Sequence, residues 1–167
     1  YLTAVLNANV YDVAIESPLH RAEHLSARLG RTVLLKREDL QPVFSFKLRG
    51  AYNRMSRLSA SELKRGVIAA SAGNHAQGVA LAARHAGVPC SVMVMDTAPR
   101  TKVDAIRQLG ATLVSATYDE CWQTVEAHAS PRMRGRFVHP FDNDRFIAGN
   151  ATLGLEILED LPHVDAI

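Results

Sequence analysis

Short apolar runs typical of β-strands alternate along the chain with segments whose apolar residues recur every three or four positions. The first pattern predicts buried strands, and the second predicts helices with one apolar face. Gly87 and Gly110 follow two of the helical segments and are expected to end them. The predicted strands are 33–35, 67–70, 90–95, 112–114 and 137–138. The predicted helices are 74–86, 99–109, 118–129 and 146–161.

The order of these elements predicts an α/β fold. Strands and helices that alternate with short connections form βαβ units, whose right-handed crossovers give a parallel sheet with helices on both faces. Strands 67–70 and 90–95 are apolar throughout, as expected for a sheet buried on both sides. Ligands bind such sheets beyond the carboxyl ends of the strands. We therefore expect the segments after Ala70, Met95 and Val114 to lie near any active site.

The composition narrows the possible classes of function. Hydrophobic residues make up 47% of the 167 residues and charged residues 22%, which is enough apolar material for a core and argues against disorder. The net charge of +2 comes from 19 basic and 17 acidic residues scattered along the chain, so no basic patch predicts nucleic-acid binding. No apolar run approaches the ~18 residues that a membrane-spanning helix needs.

The cysteines and histidines form no pattern of disulfides or metal ligands. Cys90 and Cys121 are too few for a disulfide framework or a four-cysteine metal site, so a reducing, cytoplasmic setting is expected. None of the seven histidines has a recognisable metal-binding spacing, and no metal is expected. A Gly-x-Gly-x-x-Gly motif is absent, so the parallel sheet is not expected to bind a dinucleotide.

The segment Ser71-Ala72-Gly73-Asn74-His75 is the first candidate site. It follows the predicted strand 67–70 directly and leads into the predicted helix. Small residues leave backbone N–H groups open there, and the helix N-terminus adds partial positive charge, which suits a carboxylate or a phosphate. An ordinary strand-to-helix turn with an Asn or Ser cap is the alternative.

Lys47 is the second candidate. It lies between Phe46 and Leu48, where its side chain could point into an apolar pocket. Such a pocket would favour the neutral amine, which can form a Schiff base with a carbonyl group. The alternative is a surface lysine whose aliphatic stem alone is covered.

These two segments together resemble the fold-type II enzymes that use pyridoxal 5′-phosphate. The matching residues are Glu38-Asp39, Ser45 to Ala51 and Ser71 to Gly78, and within that group the chain is most similar to the biosynthetic threonine dehydratases, also called threonine ammonia-lyases. Further matches, spread over nearly the whole chain, are Tyr1 to Leu6, Ser17 to Leu19, Leu35 to Asp39, Lys102 to Ala105 and His139 to Asp142. The resemblance implies a tryptophan-synthase-β-like fold and conversion of L-threonine to 2-oxobutanoate and ammonia, a step towards isoleucine.

The resemblance also implies roles for individual residues. Lys47 matches the catalytic lysine that carries the cofactor as a Schiff base, and Phe46 matches the aromatic residue beside the cofactor ring. Asn74 matches the asparagine that donates to the phenolic oxygen of the cofactor. The loop that takes the substrate carboxylate corresponds to Ser71, Gly73, Asn74 and His75.

The resemblance further implies an incomplete two-domain arrangement. Residues 52–138 would form a smaller α/β domain, whereas 1–51 and 139–167 would belong to a larger cofactor-binding domain. The chain opens on Tyr1 and stops within a strand expected to begin at Val164, so we expect it to be cut from a longer protein. The glycine-rich loop for the cofactor phosphate would follow that strand, and we therefore expect weak or no stable cofactor binding by residues 1–167 alone. Complete members of the family commonly form tetramers.

Three other functions are possible for this chain, and its sequence departs from the family pattern at one place. Serine dehydratase and serine racemase share the same fold and would act on serine, although the match at the amino end favours threonine dehydratase. A catalytically inactive fragment that needs the missing carboxyl-terminal part is the third alternative. The departure is in a Gly-Gln-Gly-Thr stretch usual in the family, which here is Gly149-Asn150-Ala151-Thr152.

Overall fold

A computed structural model describes all residues from 1 to 167, which form eight α-helices and six β-strands. The strands are β1 (Leu19–Arg21), β2 (Leu34–Lys36), β3 (Val67–Ala70), β4 (Cys90–Met95), β5 (Thr112–Ala116) and β6 (Arg136–Phe137). The helices are α1 (Leu2–Leu6), α2 (Glu23–Leu29), α3 (Lys47–Met55), α4 (Ala60–Lys64), α5 (Asn74–Ala86), α6 (Arg100–Gln108), α7 (Tyr118–Ala127) and α8 (Asp144–Asp160). None of these helices is both long enough and apolar enough to cross a lipid bilayer.

The predicted parallel sheet is confirmed. It has four strands in the order β5-β4-β3-β6, and every neighbouring pair is parallel. From β3 the chain moves outward through β4 to β5 and then returns to place β6 on the other side of β3. The carboxyl ends of β3 and β6 thus flank a topological switch point, where open α/β sheets commonly bind ligands.

The sheet is buried on both faces by two apolar clusters. Val67 and Ala69 of β3 point into a cluster that contains Val79 of α5 and Ile106 of α6. The opposite face of the sheet packs against α7 in a second apolar cluster. Its buried members are Ile68, Ala70, Met93, Ala116, Val125, Met133 and Phe137. All four residues of β3 are buried, as the uninterrupted apolar run predicts.

Two strand predictions were wrong: one strand pairs with a different neighbour, and the other does not form. The run at 33–35 forms β2, which pairs antiparallel with β1 in a separate two-stranded sheet instead of joining the parallel sheet. No strand begins at Val164, and residues 161–167 are irregular. A strand needs a neighbour to satisfy its backbone groups, and no strand of the structure pairs with this segment.

Local chemistry explains where two helices differ from their predicted bounds. Helix α7 ends at Ala127 because His128 adopts a left-handed conformation with φ 51°. Helix α8 begins at Asp144 because the Oδ1 atom of Asn143 accepts hydrogen bonds from the backbone N–H groups of Arg145 and Phe146. The short helices α1 to α4 and strand β1 carry no strong periodic pattern and were not predicted.

Candidate active site

A cavity of about 290 Å³ opens at the carboxyl ends of the parallel strands, beside the switch point. The segments that follow β3, β5 and β6 contribute to its wall, together with Met95 at the end of β4. The lining residues are Lys47, Ala70, Ser71, Ala72, His75, Met95, Tyr118, Cys121, Trp122, Val125, Pro140 and Phe141. Eight of these twelve are hydrophobic, so the Lys47 amine shares the cavity with a mostly apolar wall.

Lys47 reaches the cavity from the first residue of α3. The backbone N–H of Lys47 donates to Ser45 Oγ at 3.3 Å. Gly78 of α5 lies so close to this end of α3 that a Cβ there would be 3.0 Å from Leu48 Cα and 3.2 Å from the Lys47 carbonyl oxygen. The glycine inside α5 is therefore required by the close contact between the two helices, and this contact sets the position of Lys47.

A second pair of glycines brings α3 against α8. A Cβ on Gly50 would lie 2.5 Å from the Phe146 carbonyl oxygen, and a Cβ on Gly149 would lie 2.6 Å from the Arg49 carbonyl oxygen. Asn150 Oδ1 accepts a hydrogen bond of 2.8 Å from the backbone N–H of Gly50. The departure at residues 149–152 thus lies inside α8 and contributes directly to its packing on α3.

A buried ionic cluster anchors α3 two residues after Lys47. The guanidinium of Arg49, which is 0% exposed, donates to Glu38 at 2.8 Å and to Glu156 at 2.5 Å. The Lys36 amine lies 2.7 Å from the other oxygen of Glu156. Two cations therefore face two carboxylates inside the protein, and the cluster is electrically balanced.

Further hydrogen bonds complete this cluster. The Tyr11 hydroxyl donates to Glu156, and burial together with this carboxylate raises the pKa of Tyr11 to about 12. Burial acts to raise the pKa of Glu156, but the hydrogen bonds from Arg49, Lys36 and Tyr11 outweigh it and hold that pKa below its usual range. The remaining contacts link Glu38 to Ser17 and Gln41, and Arg49 to Thr152 and the Ile15 carbonyl.

The loop after β3 provides backbone donors at the edge of the cavity. Helix α5 starts at Asn74 after Gly73, and no side chain caps its N-terminus. The Ser71 hydroxyl instead accepts from the Gly73 N–H at 3.2 Å, and an added Cβ on Gly73 would meet nothing within 4 Å. The Asn or Ser cap of an ordinary turn is therefore absent, and the first N–H groups of a 13-residue helix are free to bind an anion.

His75 places an unpartnered nitrogen in the buried part of the cavity wall. Its side chain is 2% exposed, and its Nε2–H donates to the Val138 carbonyl oxygen at 2.8 Å. The Nδ1 atom is consequently a lone-pair acceptor, and it has no hydrogen-bond partner. Burial, together with the nearby Lys47 charge, lowers the pKa of His75 to about 4, so the ring is neutral at physiological pH.

The structure brings together three of the six predicted site residues. Lys47, Ser71 and His75 line the cavity, whereas Phe46, Gly73 and Asn74 lie beside it. Phe46 is 38% exposed and Asn74 is also exposed, so their roles stay predictions. Sequence reasoning missed the aromatic wall of Tyr118, Trp122 and Phe141, although two of these residues follow the end of β5, where a site was expected.

The cavity fits one end of the cofactor that the resemblance implies. The Lys47 amine would hold the aldehyde carbon of pyridoxal phosphate, and the apolar and aromatic wall suits its ring. His75, which also lines the cavity, carries a buried Nδ1 atom without a hydrogen-bond partner. The wall contains no cation other than Lys47 that would hold a phosphate, so that group needs residues outside this wall.

The fold and the cavity together define an α/β protein of the enzyme type, in which a lysine and the uncapped start of a helix lie near the switch point of the sheet. A family model described as "Pyridoxal-phosphate dependent enzyme" matches residues 10–167. The match covers nearly the whole chain, which belongs to this family.

Curated relatives and solved structures give the same assignment. The chain is 51% identical over 160 residues to the biosynthetic, chloroplastic threonine dehydratase of Arabidopsis thaliana, covering 94% of this chain and 27% of that protein. The processed form of threonine deaminase isoform 2 from Solanum lycopersicum superposes with a TM-score of 0.89 at 48% identity, covering 98% of this chain and 48% of that one. A serine racemase from Dictyostelium discoideum gives a TM-score of 0.84 at 31% identity, covering 98% and 54%. The chain spans about a quarter to a third of the length of the curated relatives it matches.

Proposed function

We propose that this chain carries the lysine-bearing part of a pyridoxal-phosphate-dependent lyase that converts L-threonine to 2-oxobutanoate and ammonia. The observation that supports the proposal is the cavity near the switch point, which Lys47 and His75 line and beside which α5 begins without a side-chain cap. Similarity to threonine dehydratases over nearly the whole chain supports the choice of substrate.

The start of α5 is proposed to bind the α-carboxylate of the amino acid. The free N–H groups of Asn74 and His75 and the positive end of the helix dipole attract an anion. Ser71 Oγ already accepts from the Gly73 N–H, which leaves the hydroxyl proton free to donate to the same carboxylate. A carboxylate held in this way would fix the orientation of the α-carbon relative to Lys47.

Lys47 is proposed to hold the cofactor and then to move the α-proton. Pyridoxal phosphate, when bound, withdraws electrons from the α-carbon of an amino acid and so lowers the barrier to loss of its proton. The Lys47 Nζ atom, released when the substrate amine takes its place, would accept this proton as a general base. The apolar wall of Val125, Trp122 and Phe141 would limit access of water during this transfer.

The ring and the backbone N–H of His75 differ in the hydrogen bonds that they can make with a substrate. Because Nε2–H is committed to Val138 and Nδ1 carries a lone pair, the ring cannot donate a hydrogen bond to a carboxylate. The predicted contact of His75 with the substrate carboxylate is therefore proposed for its backbone N–H.

Borohydride trapping with added pyridoxal phosphate tests the assignment of Lys47. Reduction converts a Schiff base to a stable amine, and mass spectrometry of the peptides then identifies the labelled lysine. Even weak binding is recorded, because the reduced product accumulates. We expect label at Lys47 in preference to Lys36, Lys64 and Lys102, together with formation of 2-oxobutanoate from L-threonine by the complete enzyme.

Two matched variants provide the controls for this experiment. Lys47→Ala should lose the label and the turnover, whereas Lys102→Ala, on α6 and away from the cavity, should retain both. Equal labelling of the four lysines, or normal turnover by Lys47→Ala, would contradict the proposal.

Serine chemistry is the second candidate function, favoured by the similarity to the serine racemase from Dictyostelium discoideum. Comparison of L-threonine, L-serine and D-serine as substrates separates these activities. Higher kcat/KM for L-threonine supports threonine dehydration, and formation of D-serine from L-serine supports racemisation. Activity that appears only when the carboxyl-terminal part of a relative is added would support the inactive-fragment alternative.

The domain division and the assembly are also proposals. The boundary proposed at 51/52 falls inside α3, so this helix would connect the smaller domain of 52–138 to the larger one, which would comprise 1–51 and 139–167. A homotetramer is proposed by resemblance for the complete enzyme. The cytoplasmic location stays a prediction.

A further inference from the structure

A second, basic pocket lies on the other side of the segment that carries Phe141. It encloses about 200 Å³ and contains the side chains of Arg54, Arg65 and Arg136. Asp142 is the one carboxylate in its wall. A second carboxylate, Glu62, lies outside the wall and pairs with Arg136 at 3.6 Å.

The protein neutralises the positive charge of this pocket only in part, because three guanidinium groups face the two carboxylates of Asp142 and Glu62. The Arg54 and Arg65 side chains make no salt bridge, and Arg54 is only partly exposed. Burial and the neighbouring charges of Arg136 and Arg145 lower the pKa of Arg54, although Glu62 acts in the opposite direction. The guanidinium charge that exceeds these two carboxylates costs free energy, which a bound anion would recover.

A neutral histidine adds a directed donor to the pocket. His139 Nδ1 accepts hydrogen bonds from the backbone N–H groups of Asp142 at 2.8 Å and Phe141 at 3.3 Å. Nε2 of the neutral ring therefore carries the proton, and it makes no hydrogen bond within the chain. Asn143, which caps the 17-residue helix α8, also lines the pocket and places the positive end of that helix there.

We propose that this pocket binds a phosphate-type dianion through Arg54, Arg136 and His139. Guanidinium groups bind phosphate oxygens in bidentate fashion, and the imidazole N–H supplies a further donor. The volume accommodates one phosphoryl group and its immediate substituent. The site is separate from the Lys47 cavity and is independent of the proposed lyase activity.

Isothermal titration calorimetry of the chain with sodium phosphate, at constant ionic strength set by sodium chloride, tests the proposal. We expect saturable binding of one phosphate per chain and a shift of the His139 imidazole resonances in the proton NMR spectrum. Parallel titrations with pyrophosphate and adenosine monophosphate distinguish a free phosphate ligand from a phosphorylated metabolite. The compound that binds more tightly shows whether the natural ligand is a free phosphate or a phosphorylated metabolite.

Single substitutions locate the site. Arg54→Gln and Arg136→Gln should each weaken phosphate binding by about tenfold or more, as expected for loss of a charge-assisted hydrogen bond. Arg100→Gln, at an exposed position of α6 outside the pocket, makes the same change in charge and should leave binding unchanged. If Arg54→Gln does not fold by circular dichroism, the exposed Arg136 and Arg65 positions still test the site. Unsaturable binding, or equal loss in Arg100→Gln, would overturn the proposal.

Discussion

The buried cluster around Arg49 makes a quantitative prediction about stability. Arg49→Met keeps much of the side-chain volume but removes the charge that faces Glu38 and Glu156. Lys36 would then be the one cation left beside two carboxylates that are nearly out of contact with water. Breaking a buried ion pair in this way costs about 3–5 kcal/mol, because an uncompensated charge is left inside the protein.

Urea unfolding followed by circular dichroism measures this loss. Thermal unfolding followed by the same signal should show the melting temperature fall by roughly 6–20 °C, at about 2–4 °C for each kcal/mol in a chain of this size. Arg107→Met is the matched control, because Arg107 pairs with Asp104 at 2.6 Å but both side chains are about half exposed. Its loss should be no more than about 0.3–0.5 kcal/mol, the usual contribution of an exposed helical pair.

A double variant tests whether the loss comes from charge imbalance. Glu156→Gln on the background of Arg49→Met leaves one cation and one carboxylate, Lys36 and Glu38, so the two substitutions should partly compensate. We expect the double variant to lose about 0.5–3 kcal/mol less than the sum of the single losses. A loss in Arg49→Met as small as in Arg107→Met, or strictly additive losses, would refute the reasoning.

Two further predictions concern the cavity. Gly78→Ala should slow borohydride-trapped labelling of Lys47 by about threefold or more, because the new Cβ displaces the start of α3. The control is Gly154→Ala on α8, where a Cβ meets nothing within 4 Å, and this variant should leave labelling unchanged. Unfolding experiments from pH 7 to 4 should show that the free energy of unfolding decreases as the pH drops below 6.5. In the unfolded chain His75 is protonated at its ordinary pKa, whereas in the folded chain it is protonated only near pH 4. The slope from this one group is at most about 1.4 kcal/mol per pH unit, and it should vanish in His75→Asn but persist in His163→Asn, which alters an exposed histidine.

The parallel sheet and the position of the site were predictable because they rest on local patterns. The apolar run 67–70 ends in a turn of small residues and is followed by a segment of helical periodicity, and each feature depends on neighbours in the sequence. The location of a ligand site at the carboxyl end of β3 then follows from the topology of parallel sheets. The loop 71–75 therefore lies where the sequence predicts.

The parts that could not be predicted depend on contacts between distant segments. In the sequence Arg49 is indistinguishable from an ordinary surface arginine. Its partners Glu156 and the Ile15 carbonyl come from α8 and from the segment before β1, and they lie beside it only in the folded chain. Strand β2 pairs with β1 because residues 19–21 lie beside it, and no periodicity reports that contact. The tautomer of His75 is likewise fixed by Val138, which is 63 residues away.

The separation between Lys47 and the loop proposed to bind the carboxylate is fixed by helices α3 and α5 more directly than by the sheet. Lys47 begins α3, whereas the free N–H groups begin α5, and the two helices meet where Gly78 touches Leu48. Helix α3 is held from its other side by Gly149 of α8 and by the Arg49 cluster, so it has little freedom to adjust. A change at the Gly78 contact would consequently alter the distance between amine and carboxylate. For this reason we expect its effect on the reaction of Lys47 to exceed its effect on stability.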